Sequence, residues 1–154
     1  MLALLAAVGM AVDEMGDYSI NLATNDTLGT YLVNQTGFTL YYFMNDASGN
    51  GISNCNGKCA ELWPPFYAES KTVANGLSAA DFTSELRADG RKQTSYKGWP
   101  LYLYSKDSEP NDAYGQGFNK LWFVVNPNST QFKLQNLPKQ PSYTQSGYSS
   151  SGGY

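Results

Sequence analysis

The ten residues from Gly37 to Asp46 align without a gap on those from Gly98 to Asp107. Each copy carries a tyrosine (Tyr41, Tyr102), a second aromatic two residues on (Phe43, Tyr104) and an aspartate three further on (Asp46, Asp107). A Gly- and Asn-rich stretch follows each copy, and then a second echo, Leu62-Trp63 in one half and Leu121-Trp122 in the other. A repeat inside so short a chain requires duplicated architecture before it says anything about chemistry.

Alternation of apolar and polar residues, with β-branched and aromatic side chains, predicts strands over 18–23, 30–34, 38–43, 101–104, 121–126 and 131–135. Ala88-Asp89-Gly90-Arg91 predicts a hairpin turn between 83–87 and 92–96, and Lys97-Gly98 a second one. Helix is confined to a turn or two at 58–62, stopped by Pro64-Pro65, and a turn near 78–82. The expected fold is all-β, with two related hairpin or meander repeats (28–66 and 83–126) packed as one sandwich-like or barrel-like domain over 13–137 with short helical insertions. Residues 1–12 form an apolar run of signal-peptide length, too short to span a bilayer, and residues 138–154 a Tyr/Ser/Gly-rich tail that cannot bury a core of its own. Tyr143, Tyr148 and Tyr154 in that tail offer rings for contacts with neighbours.

Several functions are disfavoured by composition. Histidine is absent, which removes the usual general base and the commonest neutral metal ligand, so the chain is read as a non-enzyme. A net charge of −3 supplies no basic stripe for nucleic acid. No cofactor is expected. Charged residues make up only 15%, and this together with two cysteines and sequons at Asn25, Asn34 and Asn128 predicts a secreted, extracellular protein with those asparagines as glycosylation candidates.

Cys55 and Cys59 straddle Gly57, where the backbone can turn sharply enough to bring the sulfurs into a small disulfide ring; a labile redox pair is the alternative. In the repeated motif the tyrosine and the second aromatic share a strand face, and the aspartate falls just past the strand end, where it caps a turn. The competing reading is an oxygen-ligand calcium loop drawing on Asp46 and Asn50 in one copy and on Asp107 and Glu109 in the other, although neither loop has the closing bidentate glutamate.

The strings Leu28-Gly29-x-Tyr31-Leu32-Val33 and Cys55-x-Gly57-x-Cys59-Ala60-x-x-Trp63-Pro64-Pro65, together with Arg87-Ala88-Asp89-Gly90-x-x-Gln93-x-x-Tyr96-x-Gly98-x-Pro100-Leu101-Tyr102 and Gly115-x-Gly117, resemble the secreted-repeat lipoprotein family with the Yx(FWY)xxD motif. The resemblance covers 28–126 and implies an extracytoplasmic β-rich domain, with no catalytic residues to carry over. A lipid-anchoring cysteine after the apolar run is missing. In general character the chain is also similar to sheath-forming proteins of methanogenic archaea. Strand-like flanks at 18–23 and 130–135 lie outside the repeat core and are expected to be detachable edges that pair with a neighbour's sheet. The functional expectation is a protein that self-assembles into a cell-envelope layer or sheath, with itself and other envelope components as partners. The alternative is a monomeric secreted binding or electron-transfer accessory module.

Overall fold

The computed structural model describes residues 18–46 and 50–133; the apolar run 1–12 and the tail 138–154 lie outside these residues. Strands β1 (Ile20–Asn25) and β2 (Gly29–Asn34) form an antiparallel hairpin. β3 (Tyr41–Phe43) pairs with β7 (Trp122–Val124), and β4 (Phe82–Leu86), β5 (Lys92–Tyr96) and β6 (Trp99–Pro100) make a meander. Two short helices, α1 (Lys58–Leu62) and α2 (Thr130–Lys133), and isolated helical turns complete the fold. The small antiparallel sheets stack sandwich-like, and none closes into a barrel.

Both predicted hairpin turns form. Gly90 adopts φ +81° and donates to the Arg87 carbonyl at 3.0 Å, closing the turn between β4 and β5. Lys97 and Gly98 both have positive φ, 48° and 81°, as a two-residue turn matching strand twist requires.

The two copies interlock by exchanging their last segments. Leu32 N–H donates to Val125 O (2.9 Å), Val125 N–H to Leu40 O (3.0 Å), and Leu40 N–H to Leu32 O (2.9 Å). The same triangle recurs one copy later: Thr94 to Phe66 (2.8 Å), Phe66 to Leu101 (2.9 Å) and Leu101 to Thr94 (2.9 Å). In each triangle the third member comes from the other copy, so Val125 completes the first half and Phe66 the second. At the centre, Tyr41 and Tyr102 exchange a pair of backbone bonds, each 2.9 Å, across an antiparallel bridge.

Alternation along the motif strands feeds two cores. Tyr41, Phe43, Tyr102, Tyr104 and Val124 enter one cluster with Trp63 and Trp122, while Leu40, Tyr42, Leu101 and Val125 enter another with Ile20, Trp99 and Phe132. Buried on both faces, these segments read as nearly continuous apolar runs.

Three expectations need correction. Residues 101–104 form bridges, from Tyr102 to Tyr41 and to Pro65, and no extended strand. Leu103 N–H donates to Pro64 O at 2.8 Å, but Pro64 has no N–H to return, so this ladder stays shorter than its counterpart between β3 and β7. The stretch 131–135 begins as helix α2, which follows a turn in which the Asn126 side chain accepts from Asn128 N–H (2.8 Å); Leu134 and Gln135 lie outside the described residues. Nor are the flanks detachable. Ile20 is fully buried and tied to the 72–74 segment by two backbone bonds, and Phe132 is fully buried with its ring centroid 5.2 Å from that of Tyr42. Phe132→Ala should therefore destabilise the protein by about 3–5 kcal/mol, read as a lowered denaturant midpoint at unchanged slope.

Candidate functional site

The central cluster is built from the repeated motif and its downstream tryptophans. Strand β3 and the bridge at Tyr102 hold the motif tyrosines side by side, and the exchanged segments bring Trp63 and Trp122 face to face with centroids 3.8 Å apart and planes 2° from parallel. Phe43 stacks on Trp122 and Tyr104 on Trp63, each at 4.2 Å, giving a four-ring column ordered Phe43, Trp122, Trp63, Tyr104. Tyr41 meets the edge of the column at Trp63 (5.3 Å) and Tyr102 meets it at Trp122 (5.0 Å), both in T-shaped geometry.

The aspartates complete a cross-over. The Tyr41 hydroxyl donates to Asp107 Oδ2 at 2.7 Å and the Tyr102 hydroxyl to Asp46 Oδ2 at 2.6 Å, so each tyrosine is satisfied by the other copy's aspartate. The second oxygens also have matched partners: Asp46 Oδ1 accepts Asn54 N–H (2.7 Å) and Asp107 Oδ1 accepts Tyr114 N–H (3.0 Å). The turn-capping reading of the motif aspartate therefore describes one oxygen of each; the spacing gave no signal of the other.

The four calcium candidates are placed among protein partners or at the surface. Asp46 and Asp107 are buried, with both carboxylate oxygens accepting protein donors. Asn50 Oδ1 accepts Ile52 N–H at 3.0 Å, and Glu109 is exposed, its N–H donating to Asp112 Oδ2 at 2.9 Å. Among the described residues no His, Cys, Asp and Glu cluster could hold a metal ion.

Around the matched core the two copies differ. On the Tyr102–Asp46 side, Ser53 Oγ lies 2.7 Å from the Tyr102 hydroxyl and accepts Arg87 Nη1 at 2.7 Å. Arg87 is buried and also donates to Gln93 Oε1 (2.6 Å) and to the Cys55 carbonyl (2.7 Å), with Asp89 Oδ2 3.1 Å from its Nε. It thereby ties the β4–β5 hairpin to the ring closed by the Cys55–Cys59 disulfide. On the Tyr41–Asp107 side no guanidinium intervenes. Gly115 N–H approaches the Tyr41 hydroxyl at 3.3 Å, and a Cβ on Gly115 would come within 2.6 Å of the Trp63 ring and 2.9 Å of Tyr41. Sequence reasoning noted Arg87 and Gly115 only as parts of strings, and it missed Ser53 altogether.

Burial dominates the electrostatics. It raises both aspartates above the ordinary carboxylate value, against the lowering effect of their tyrosine and backbone hydrogen bonds; Arg87 pulls Asp46 down, while Asp112 pushes Asp107 further up. Tyr41 and Tyr102 are raised far above the normal phenol value, by burial first and the facing aspartate second, and Tyr96 is pushed up to about 12.

The sequons at Asn25 and Asn34 begin at the ends of β1 and β2 and that at Asn128 in a turn; Asn25 and Asn128 are exposed and Asn34 half-buried. Asn25 and Asn34 each accept backbone N–H groups two residues on at 3.0 Å. A surface cleft of about 540 Å³ lies beside Asn34 and is lined by polar groups including Gln35, Tyr67 and Glu69.

Two measurements test the cluster. Gly115→Ala should cost about 1–3 kcal/mol of stability in a denaturant melt, because stacked rings on one side and the Tyr41 ring on the other cannot yield. Alkali should unfold the protein cooperatively. The folded state holds Tyr41 and Tyr102 protonated past the pH, near 10, where the unfolded chain ionises them, so their stabilisation is present below that pH and lost above it. Each should remove about 1.4 kcal/mol per pH unit, seen as tyrosinate absorbance rising together with loss of circular dichroism. The raised aspartates work in the same direction from about 3.8 upward, contributing most in acid and less as pH rises through their folded-state values.

A family model described as a secreted repeat of unknown function matches the chain twice, over residues 23–67 and 84–126, which together make up more than half of it. No curated protein and no solved structure matches the chain.

Proposed function

The chain belongs to this family of secreted repeats, and on that premise we propose that it is a non-catalytic structural protein that assembles with copies of itself into an extracellular, cell-envelope layer or sheath. Two open sheet edges, one at the start of each copy, carry the reading. Lys97 N–H donates to Asp81 O (2.7 Å) and Arg87 N–H to Arg91 O (2.9 Å), which sets the β4–β5 ladder so that Thr83 and Glu85 bond inward. Ser84 and Leu86 then turn their backbone groups outward, and Leu86 is 74% exposed. By the same parity Leu22 and Thr24 face outward on β1, beyond the stretch of Ile20 held by the 72–74 segment. Among the described residues no other backbone group bonds to these positions.

The two edges are counterparts in the repeat, so addition of β1 of one molecule to β4 of the next is a head-to-tail contact, which extends as a filament unless its rotation closes a ring. Glu85 is the one charge on either strand, so little ionic desolvation opposes pairing. No helix among the described residues is long and apolar enough to cross a membrane.

The test is Thr24→Pro combined with Ser84→Pro. Proline at an outward-facing edge position leaves the inner ladder intact and removes the donor a neighbour needs. The unmodified protein should form regular polymers by electron microscopy and light scattering, and the double variant should stay monomeric with an unchanged melting profile. Polymers that survive both prolines would rule out edge pairing. A monomeric unmodified protein would rule out assembly and leave the binding or electron-transfer module as the better reading.

A further inference from the structure

Independently of assembly, the central cluster joins two groups seldom buried together. One is the column of stacked indoles; the other is a pair of tyrosines whose hydroxyls already donate to carboxylates at 2.7 and 2.6 Å. Each tyrosine touches an indole, Tyr41 at Trp63 and Tyr102 at Trp122. A phenol that loses an electron becomes a strong acid, and a carboxylate at hydrogen-bond distance can take its proton with almost no movement of heavy atoms.

We propose that Tyr41 and Tyr102 are redox-active tyrosines. A one-electron oxidant of the oxygen-radical class, acting at the protein surface, takes one electron from the aromatic cluster, and the vacancy settles on a motif tyrosine. The phenolic proton passes to the facing Asp107 or Asp46 oxygen, which leaves a neutral tyrosyl radical and a carboxylic acid. A one-electron reductant reverses the step, and the proton returns to the phenol. Low dielectric favours the forward step, because the pair passes from one buried negative charge to none. Burial also keeps the radical apart from tyrosines of other molecules with which it would couple.

The surroundings rank the two pairs. The charge on Asp46 is stabilised by Arg87, which Ser53 links to the Tyr102 hydroxyl, so neutralising it forfeits an attraction. Asp107 has no cation in that role and is repelled by Asp112, so neutralising it relieves a repulsion. Tyr41 is therefore the preferred resting place.

The experiment is laser photolysis of the full oxidised chain with a ruthenium polypyridyl photo-oxidant and an electron-accepting quencher, followed by electron paramagnetic resonance. The expected long-lived signal is a neutral tyrosyl whose hyperfine pattern changes when tyrosine is deuterated and is unaffected when tryptophan is. Tyr41→Phe should lower its yield several-fold, and Tyr102→Phe should lower it less. Asp107→Asn keeps the rings and removes the proton acceptor of Tyr41, so the signal should pass to Tyr102, and combining it with Asp46→Asn should leave the signal on tryptophan. Isotope labelling needs no substitution, so the identity of the radical is tested even if a variant fails to fold. A long-lived tryptophan radical in the unmodified protein would overturn the proposal, as would a tyrosyl yield untouched by either phenylalanine variant. A signal that follows Tyr102 alone would overturn the ranking.

Discussion

A phenolic hydroxyl at the centre of an aromatic core needs an acceptor within reach, or its burial costs more than the ring contributes. Here that need is met across the repeat, where Tyr41 takes its acceptor from the second copy and Tyr102 from the first. Once this cross-over is in place, much of the rest follows. The motif strands must lie antiparallel at Tyr41 and Tyr102, and the loops after each copy must fold back far enough to present Asp46 and Asp107. The tryptophans downstream then meet on the pseudo-twofold axis. The motif spacing thus has a physical meaning: the tyrosine reaches across, the second aromatic enters the column, and the aspartate receives the tyrosine of the other copy.

Much of the local structure was legible in the residues. The Asp89-Gly90 and Lys97-Gly98 turns, the hairpin strands and the short helix after Cys55 follow from turn chemistry and alternation. The strand expected over 101–104 fails for a reason visible in sequence, the prolines at 64 and 65 opposite it, but only once the pairing is known. Helix α2 was misread because three or four residues cannot distinguish alternation from a single helical turn. The exchange of Phe66 and Val125 could not be seen at all, since a repeat looks identical whether its segments pair within a copy or between copies. The burial of Asp46 and Asp107 was out of reach for the same reason, because nothing in the spacing says that the carboxylates point into the core.

The asymmetries between the copies are as informative as the symmetry. The Tyr102–Asp46 side carries the disulfide, Ser53 and the buried Arg87, and the Tyr41–Asp107 side carries Gly115 packed against Trp63. A duplicated core can tolerate such differences where they lie outside the matched contacts. The space beside each tyrosine–aspartate pair is filled by different means, with a guanidinium network in one case and a close backbone approach in the other. The electrostatic environments of two geometrically similar pairs differ as a result.

The exchanged segments also govern when the chain can fold. Val125 closes the triangle begun by Leu32 and Leu40, and Phe132 seals a core whose first member is Ile20. The core that begins at Ile20 is incomplete until Val125 and Phe132, more than a hundred positions later, have arrived. Contacts this distant in sequence are slow to form, because loop closure precedes any reward. A nascent chain of this design stays open along most of its length until its final third is available. That delay suits a polypeptide that must be threaded through a membrane before it locks into shape.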